Sequence, residues 1–176
     1  MNVAEILNRF VVSVTPGMHK VRRKSLTASV DSAVRGSPLC VTGLGRHLRN
    51  RAHEKHRIKR VDRLCSNGCL QAEIPDIYRQ LTVSLVGHLQ QPVIHIDWSD
   101  MDDRQEHFLL RASLAAQGRA LTLYEELHPL CAKEKPRVHR AFLWTLKRLL
   151  PETAVPVIVT DAGFRSPWFR LVRKLG

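Results

Sequence analysis

The sequence predicts an α+β protein, with a helical N-terminal domain at residues 1–90 and a β-β-β-α-β-α domain at residues 91–176. Apolar residues recur at helical spacing in the first part, whereas short apolar runs typical of strands begin after Pro92. The positive charge is also distributed unevenly between these two parts of the chain. Residues 1–70 hold 14 Lys and Arg against four Asp and Glu, and residues 71–176 hold 14 against 12. We place the domain boundary near Gln90-Gln91-Pro92.

The overall composition excludes several classes of protein. A chain of 176 residues that is 44% hydrophobic and carries a net charge of +12 is typical of a folded basic protein with a polyanionic partner. No apolar run approaches the roughly 18 residues of a membrane span, so we expect no membrane association. Glu5 and Arg9 interrupt the N-terminal apolar stretch, and the four cysteines are irregularly spaced. Both features favour a cytoplasmic protein.

The N-terminal domain is predicted to consist of helices. A first helix is predicted from four apolar residues at helical spacing: Val3, Ile6, Leu7 and Phe10. A basic stretch follows, and three of its residues are candidate DNA contacts: Arg22, Arg23 and Lys24. Thr42 is expected to cap a short helix through Leu48, which Gly43 and Gly45 weaken by about 1 kcal/mol each relative to alanine.

The segment His53–Leu64 has the pattern of a basic amphipathic helix. Its packing face is predicted from Ile58, Val61 and Cys65. A short helix, a turn and a basic helix form the outline of a helix-turn-helix, whose second helix lies in the major groove of DNA. The candidate DNA contacts of this helix are Lys55, Lys59, Arg60 and Arg63. A solvated basic face is the alternative. A further helix is predicted with Pro75 in its first turn.

The C-terminal domain is predicted to contain four strands and two helices. The predicted strands are Val93–Ile96, Phe108–Ala116, Ala120–Tyr124 and Val155–Thr160, with a tight turn at Gln117-Gly118-Arg119. One helix begins at Pro136, between the third and fourth strands, and the other at Ser166-Pro167. Because a helical crossover normally returns a strand parallel to an earlier one, we expect the fourth strand to lie beside the first.

An aspartate follows each of these two strands. Asp97 comes after the first strand and Asp161 after the fourth, so parallel pairing brings both carboxylates to one edge of the sheet. Two such carboxylates repel each other unless a cation lies between them, and their oxygens suit Mg²⁺ or Mn²⁺. Paired ions of this kind catalyse phosphodiester chemistry. The alternative is that Asp161 caps a turn and Asp97 pairs with an arginine.

Several motifs from both domains, taken in their order along the chain, resemble those of a known protein family. They are Lys59-Arg60-Val61-Asp62-Arg63-Leu64, Ile96-Asp97-Trp98-Ser99-Asp100, Leu110-Arg111-Ala112-Ser113 with Thr122-Leu123-Tyr124-Glu125, and Asp161-Ala162-Gly163-Phe164. Together they resemble the bacterial DDE transposases of the insertion-sequence-four family, in its hairpin-forming cut-and-paste group. The resemblance implies an RNase H-like catalytic core in which Asp97 and Asp161 are the first two metal-binding acids of a triad.

The same resemblance implies partners and a location. The N-terminal helices correspond to the part that binds double-stranded DNA at the terminal inverted repeats. Full-length relatives are expected to act as dimers in a synaptic complex, in the bacterial cytoplasm at the nucleoid. In that family the third acid, a glutamate, lies far downstream beyond an inserted segment, and no glutamate of these 176 residues takes that position.

We therefore expect an N-terminal part of a transposase, with an incomplete RNase H-like core, that binds DNA ends and does not cleave them by itself. A non-catalytic DNA-binding protein that occupies the element ends is the first alternative. An RNase H-like nuclease completed by another acid of this chain is the second. Zinc at Cys65 and Cys69 is disfavoured because the nearby His53 and His56 lie on the DNA-facing helix, and Cys40 and Cys131 are expected in the core.

Overall fold

The structure, a computed structural model, describes residues 2–175 and confirms the α+β class. Seven α-helices and a four-stranded mixed sheet are present among these residues. The helices are α1 Val3–Val14, α2 Lys20–Val34, α3 Val41–Arg46, α4 Glu54–Cys65, α5 Gly68–Val86, α6 Pro136–Leu149 and α7 Ser166–Leu175. The strands are β1 Val93–Asp100, β2 His107–Ala116, β3 Arg119–Pro129 and β4 Val157–Thr160. No helix in this range combines the length and apolar composition that crossing a bilayer requires.

The chain divides into two compact units between Gln80 and Leu81, inside α5. This division lies before the boundary that composition suggested near Gln90. The last turns of α5 belong with the sheet, since Thr82 donates its hydroxyl to the backbone oxygen of Leu123 at 3.1 Å and Val86 is buried in the sheet core. Charge and periodicity do not reveal such a division, because the helix continues through it.

The first unit contains a close crossing of two helices, α3 and α4. A side chain at Gly45 of α3 would place its Cβ 2.5 Å from Cα of Ile58 in α4, a distance that real contacts do not reach. Gly45 is buried, and on the inner side of α4 Val61 and Leu64 are buried too. The glycine that weakens the short helix by propensity is therefore the residue that lets the two helices approach.

Replacing Gly45 with alanine is expected to destabilise the first unit by about 2–3 kcal/mol through overpacking against Ile58. Helix propensity alone predicts the opposite sign, a gain of about 1 kcal/mol. Urea unfolding followed by circular dichroism measures the difference. Gly68→Ala in α5 is the matched control, because its Cβ meets nothing within 4 Å. Equal stability changes for the two variants would contradict the close crossing.

Several local predictions for this unit are wrong. Helix α1 is present as predicted, but the apolar residues that predict it are largely exposed, with Val3 at 66% and Phe10 at 45%, and its buried residues are Val11 and Val14. Periodicity identifies an apolar stripe without showing which neighbour covers it. Cys40, not Thr42, is the N-terminal cap of α3, and its sulfur accepts a hydrogen bond from the amide of Gly43.

The start of the next helix also differs from the prediction. Pro75 lies inside α5 instead of in its first turn. The helix begins earlier because Asn67 caps it, its side-chain oxygen accepting from the amide of Leu70 at 3.1 Å. On α4 the predicted packing residue Cys65 is exposed, and Leu64 takes the inner position.

The second unit is built on a sheet with strand order β3-β2-β1-β4. The β2–β3 hairpin turns at Gln117-Gly118, where Gly118 has a φ of +68°, a conformation that suits glycine. Strands β1 and β4 are parallel, as predicted, and β4 occupies the sheet edge. Helix α6 is the crossover between β3 and β4, and it packs Phe142, Leu143 and Leu146 on the sheet. The predicted order of elements is confirmed.

Candidate functional site

The parallel pairing of β1 and β4 brings Asp97 and Asp161 to the same place. Ile96 is in register with Thr160, the last pair between the two strands, and each aspartate is the next residue along its strand. Both aspartates line the same cleft, which has a volume of about 140 Å³. Asp97 does not end its strand as predicted, because β1 continues to Asp100 through antiparallel pairing with β2.

Each carboxylate is held by a backbone amide close to it in sequence. One oxygen of Asp97 accepts from the amide of Trp98 at 2.8 Å, and one oxygen of Asp161 accepts from the amide of Gly163 at 3.0 Å. A Cβ at Gly163 would lie 3.2 Å from the Asp161 carboxylate, so glycine leaves room for this turn. Asp161 therefore caps a turn, and its second oxygen has no partner within the described residues.

Among the described residues, Asp97 does not pair with an arginine. Its cross-strand neighbour is Arg111, whose Nε donates to Glu125 at 2.9 Å. Lys133, which lines the cleft, lies 3.9 Å from Asp100 and over the ring of Phe108. Arg111 and Lys133 are thus directed to other partners, and both aspartates line the cleft.

The residues of the cleft fit a divalent cation only in part. Two carboxylates with one unpartnered oxygen each are suitable hard ligands for Mg²⁺ or Mn²⁺. Glu134 also lines the cleft, on a loop where its φ is +59°. No group of three or more histidine, cysteine, aspartate or glutamate side chains that could hold a metal is found between residues 2 and 175. Asp97 and Asp161 are the two side chains here that would hold a cation, and no further metal-binding group is gathered around them among the described residues.

A second group of acids, near the end of β1, is a structural turn. The two oxygens of Asp102 accept from the backbone amides of Arg104, Glu106 and His107 at 3.0 to 3.1 Å. These hydrogen bonds, led by the one from Glu106, lower the pKa of Asp102. Its oxygens are therefore already engaged, which disfavours metal binding at this turn.

An aromatic cluster connects the segments that carry the two aspartates. Trp98 donates its indole N–H to Nε2 of His139 in α6 at 3.2 Å. The His139 ring stacks on Phe164 at 5.2 Å and meets Trp168 edge-on at 5.1 Å, both distances between ring centroids. Phe164 and Trp168 are buried. Through Trp98 and Phe164 the cluster holds the backbone next to Asp97 and just after Asp161, a linkage the sequence pattern did not reveal.

His139 accepts this hydrogen bond only in its neutral form. Burial lowers its pKa, the charge of Glu134 opposes that shift, and His128 adds to it. The other charged groups around the ring are Lys133, Asp97 and Asp161 in the cleft and Arg140 and Arg165 beside it. His139 is therefore neutral at pH 7, with Nε2 as the hydrogen-bond acceptor and the proton on Nδ1.

Replacing His139 with glutamine is expected to weaken the dependence of unfolding free energy on pH. As the pH falls below about 6.5, the unfolded chain binds a proton at this histidine before the folded chain does. The free energy of unfolding of the natural chain therefore decreases until the pH passes below the lowered pKa of His139. Glutamine keeps an acceptor near the Nε2 position and does not titrate. Urea unfolding followed by tryptophan fluorescence, from pH 8 to pH 5, measures the effect.

His88→Gln is the control for this measurement, because His88 is an exposed histidine of the same unit. It should leave the pH dependence unchanged. If His139→Gln retains the full pH dependence of the natural chain, burial does not hold His139 neutral.

Three of the four candidate DNA contacts on α4 form an exposed stripe. Lys55, Lys59 and Arg63 are exposed on the side away from the buried Val61 and Leu64. None of the three is in an ion pair among the described residues. We call these three residues the α4 stripe. Arg60 differs, since it is partly buried and its Nε donates to the hydroxyl of Ser25 at 3.0 Å.

The basic stretch of α2 is less available than its composition suggests. Arg22 forms a two-bond ion pair with Glu73 at 2.5 and 2.8 Å, which raises the pKa of Arg22 and lowers that of Glu73. Arg23 donates to the backbone oxygen of Thr15 at 3.3 Å. Lys24 is exposed and has no ion-pair partner in the part of the chain described. Of these three candidates, Lys24 alone is exposed and has neither a hydrogen bond nor an ion pair of its side chain among the described residues.

The cysteines are free and exposed at all four positions. The prediction that Cys40 and Cys131 are core residues is therefore wrong. Cys40 is used as a helix cap, and Cys131 lies in the short 3-10 helix Leu130–Ala132.

Comparisons with known proteins identify no relative of this chain. The chain matches no family model, no curated protein and no solved structure.

Proposed function

We propose that this chain binds the ends of a transposable element and supplies two metal-binding acids of a DDE transposase with an RNase H-like core. The observation that carries the proposal is the position of Asp97 and Asp161, on adjacent parallel strands and in one cleft. Carboxylates so placed suit a divalent cation that activates water and stabilises the leaving oxygen in phosphodiester chemistry. When bound, Mg²⁺ or Mn²⁺ supplies that chemistry. The chain itself orients the carboxylates through the amides of Trp98 and Gly163.

DNA binding belongs to the first unit in this proposal. The stripe of Lys55, Lys59 and Arg63 has the four-residue spacing that places side chains along one side of a helix. A short helix packed tightly on α4 through Gly45 supports a helix-turn-helix arrangement. The partner is double-stranded DNA at terminal inverted repeats, and pairing of two ends favours a dimer.

A non-catalytic DNA-binding protein that occupies the element ends is the second candidate. It is favoured by the finding that, across residues 2–175, no third metal-binding side chain gathers around the two aspartates. Such a protein needs the α4 stripe and does not need Asp97 or Asp161. The two candidates therefore differ in whether the aspartates bind metal.

Titration with Mn²⁺ is expected to show weak binding that Asp97→Asn or Asp161→Asn abolishes. Each substitution removes one of the two aspartate carboxylates that line the cleft. Isothermal titration calorimetry on the full chain measures the affinity. Asp103→Asn is the control, since Asp103 belongs to the acidic group beyond the end of β1. Binding that survives both cleft substitutions and is lost in the control would assign the metal to that group and favour the second candidate.

A further inference from the structure

A cavity of about 310 Å³ lies beside the cleft of the two aspartates. The cavity and the cleft share three lining residues: Glu134, His139 and Gly163. The rest of the cavity wall comes mostly from the beginnings of α6 and α7, including Pro136 and Pro167. The cavity is thus a neighbour of the candidate site, at a place where two helices begin.

Two unpaired arginines belong to this cavity. Arg140 extends from α6 and Arg165 directly precedes α7, and both are exposed. Neither side chain has an ion pair or hydrogen bond to another described residue. Arg111 of the same unit is instead paired with Glu125. Two free guanidinium groups at one cavity favour an anion, and their planar donor geometry suits a phosphate.

The backbone and one buried side chain add to this preference. Lys135, the N-terminal cap of α6, makes no side-chain capping hydrogen bond, so the positive end of that helix is not neutralised by its own cap. Trp168 lines the cavity and is 3% exposed, and its indole N–H has no hydrogen-bond partner among the described residues. A buried donor without an acceptor is uncommon, and here it lies in the wall of a basic cavity.

The charge and size of the cavity limit what it can hold. Glu134 also lines it and repels an anion, but one carboxylate is outweighed by two guanidinium groups and the beginnings of two helices. A volume of about 310 Å³ exceeds that of a phosphate group alone. Pro167 and Leu171 make part of the wall apolar, which suits a sugar attached to the phosphate.

We propose that this cavity binds a backbone phosphate of the DNA strand whose scissile bond lies at Asp97 and Asp161, with Arg140 and Arg165 as its ligands. The assignment to that strand rests on the proposed function. Binding of a strand phosphate by two arginines does not itself require a metal ion at the aspartates or contact through the α4 stripe. The two proposals can therefore fail separately.

The test measures binding of three probes to the full chain without added metal: a 5′-phosphorylated thymidine pentanucleotide, inorganic phosphate and thymidine. Arg140→Ala with Arg165→Ala is expected to weaken pentanucleotide binding by roughly tenfold or more, through the loss of two charge-assisted contacts. The matched control is Arg148→Ala with Arg173→Ala, which removes the same charge from the last turns of the same helices. Arg140→Lys with Arg165→Lys should keep part of the affinity that the alanine variant loses. Fluorescence of the tryptophans, one of which lines the cavity, reports binding.

Pentanucleotide binding that is lost in the cavity variant and kept in the control variant supports the proposal. Equal losses in the two variants would overturn it, since the effect would then follow net charge alone. Inorganic phosphate that binds as tightly as the pentanucleotide would also overturn it, in favour of a free phosphate. If Mn²⁺ does not bind at Asp97 while the pentanucleotide still requires Arg140 and Arg165, the proposed function fails and the phosphate site remains.

Discussion

Replacing Lys55, Lys59 and Arg63 together with alanine is expected to reduce the slope of log K against log salt for duplex DNA by up to about 3 units. Each phosphate contact releases roughly one condensed cation from DNA and adds about one unit to the slope. The loss of three contacts therefore lowers the slope by up to about 3 units. The three side chains are exposed, lie along α4 and have no ion-pair partner within the described part of the chain. Fluorescence anisotropy with a labelled duplex, between about 50 and 200 mM salt, measures the slope.

The control removes the same charge elsewhere. Arg148→Ala, Arg173→Ala and Lys174→Ala change three exposed residues in the last turns of α6 and α7. This control variant should keep most of the slope of the natural chain. A slope unchanged by the α4 substitutions, or reduced equally by both sets, would show that the α4 stripe is not the DNA-binding face.

The purified 176-residue chain is expected to bind DNA ends without nicking or joining them in Mg²⁺ or Mn²⁺. In-line displacement requires metal ions held in fixed positions, and a misplacement of about 1 Å commonly lowers rates by roughly 100-fold. Asp97, Asp161 and Glu134 line the cleft, but no group of three or more side chains that could hold a metal is found among residues 2–175. A gel assay on a labelled inverted-repeat fragment separates binding from cleavage.

Metal-dependent nicking that Asp97→Ala abolishes and Asp103→Ala does not would contradict this expectation. It would mean that another acid of the chain completes the site, as in the nuclease alternative. Glu134→Gln would then be the informative variant, because Glu134 lines the same cleft as the two aspartates. Nicking that survives Asp97→Ala would instead identify a contaminating nuclease.

Much of the framework of the candidate site is predictable from local sequence patterns. The change from helical to extended periodicity after Pro92 indicates the second unit, and the crossover helix at Pro136 predicts that β4 runs parallel to β1. From that pairing the meeting of Asp97 and Asp161 follows directly. Residue spacing also predicts the exposed stripe of α4, because a helix repeats its faces at a known interval.

Packing partners were not predictable in this way. Val3 and Phe10 of α1 are exposed although their spacing is that of a buried face. Helix propensity indicates only that Gly45 weakens α3. In the fold, Gly45 is the point where Ile58 of α4 comes close to α3. Trp98 and His139 are 41 residues apart, and their hydrogen bond depends on where α6 lies over the sheet.

Local sequence patterns are sufficient for the order of the elements, the parallel pair of strands and the placing of Asp97 and Asp161 on neighbouring strands, because each depends on spacing along a short stretch of chain. Which of the charged side chains remain available to bind a partner depends on contacts made in the folded chain. Arg22 is neutralised by Glu73, 51 residues away, and Arg111 by Glu125 on the neighbouring strand, whereas Arg140 and Arg165 are left unpaired among the described residues. Charge composition counts all four arginines alike, since it contains no information about the distance to an opposite charge in the folded chain.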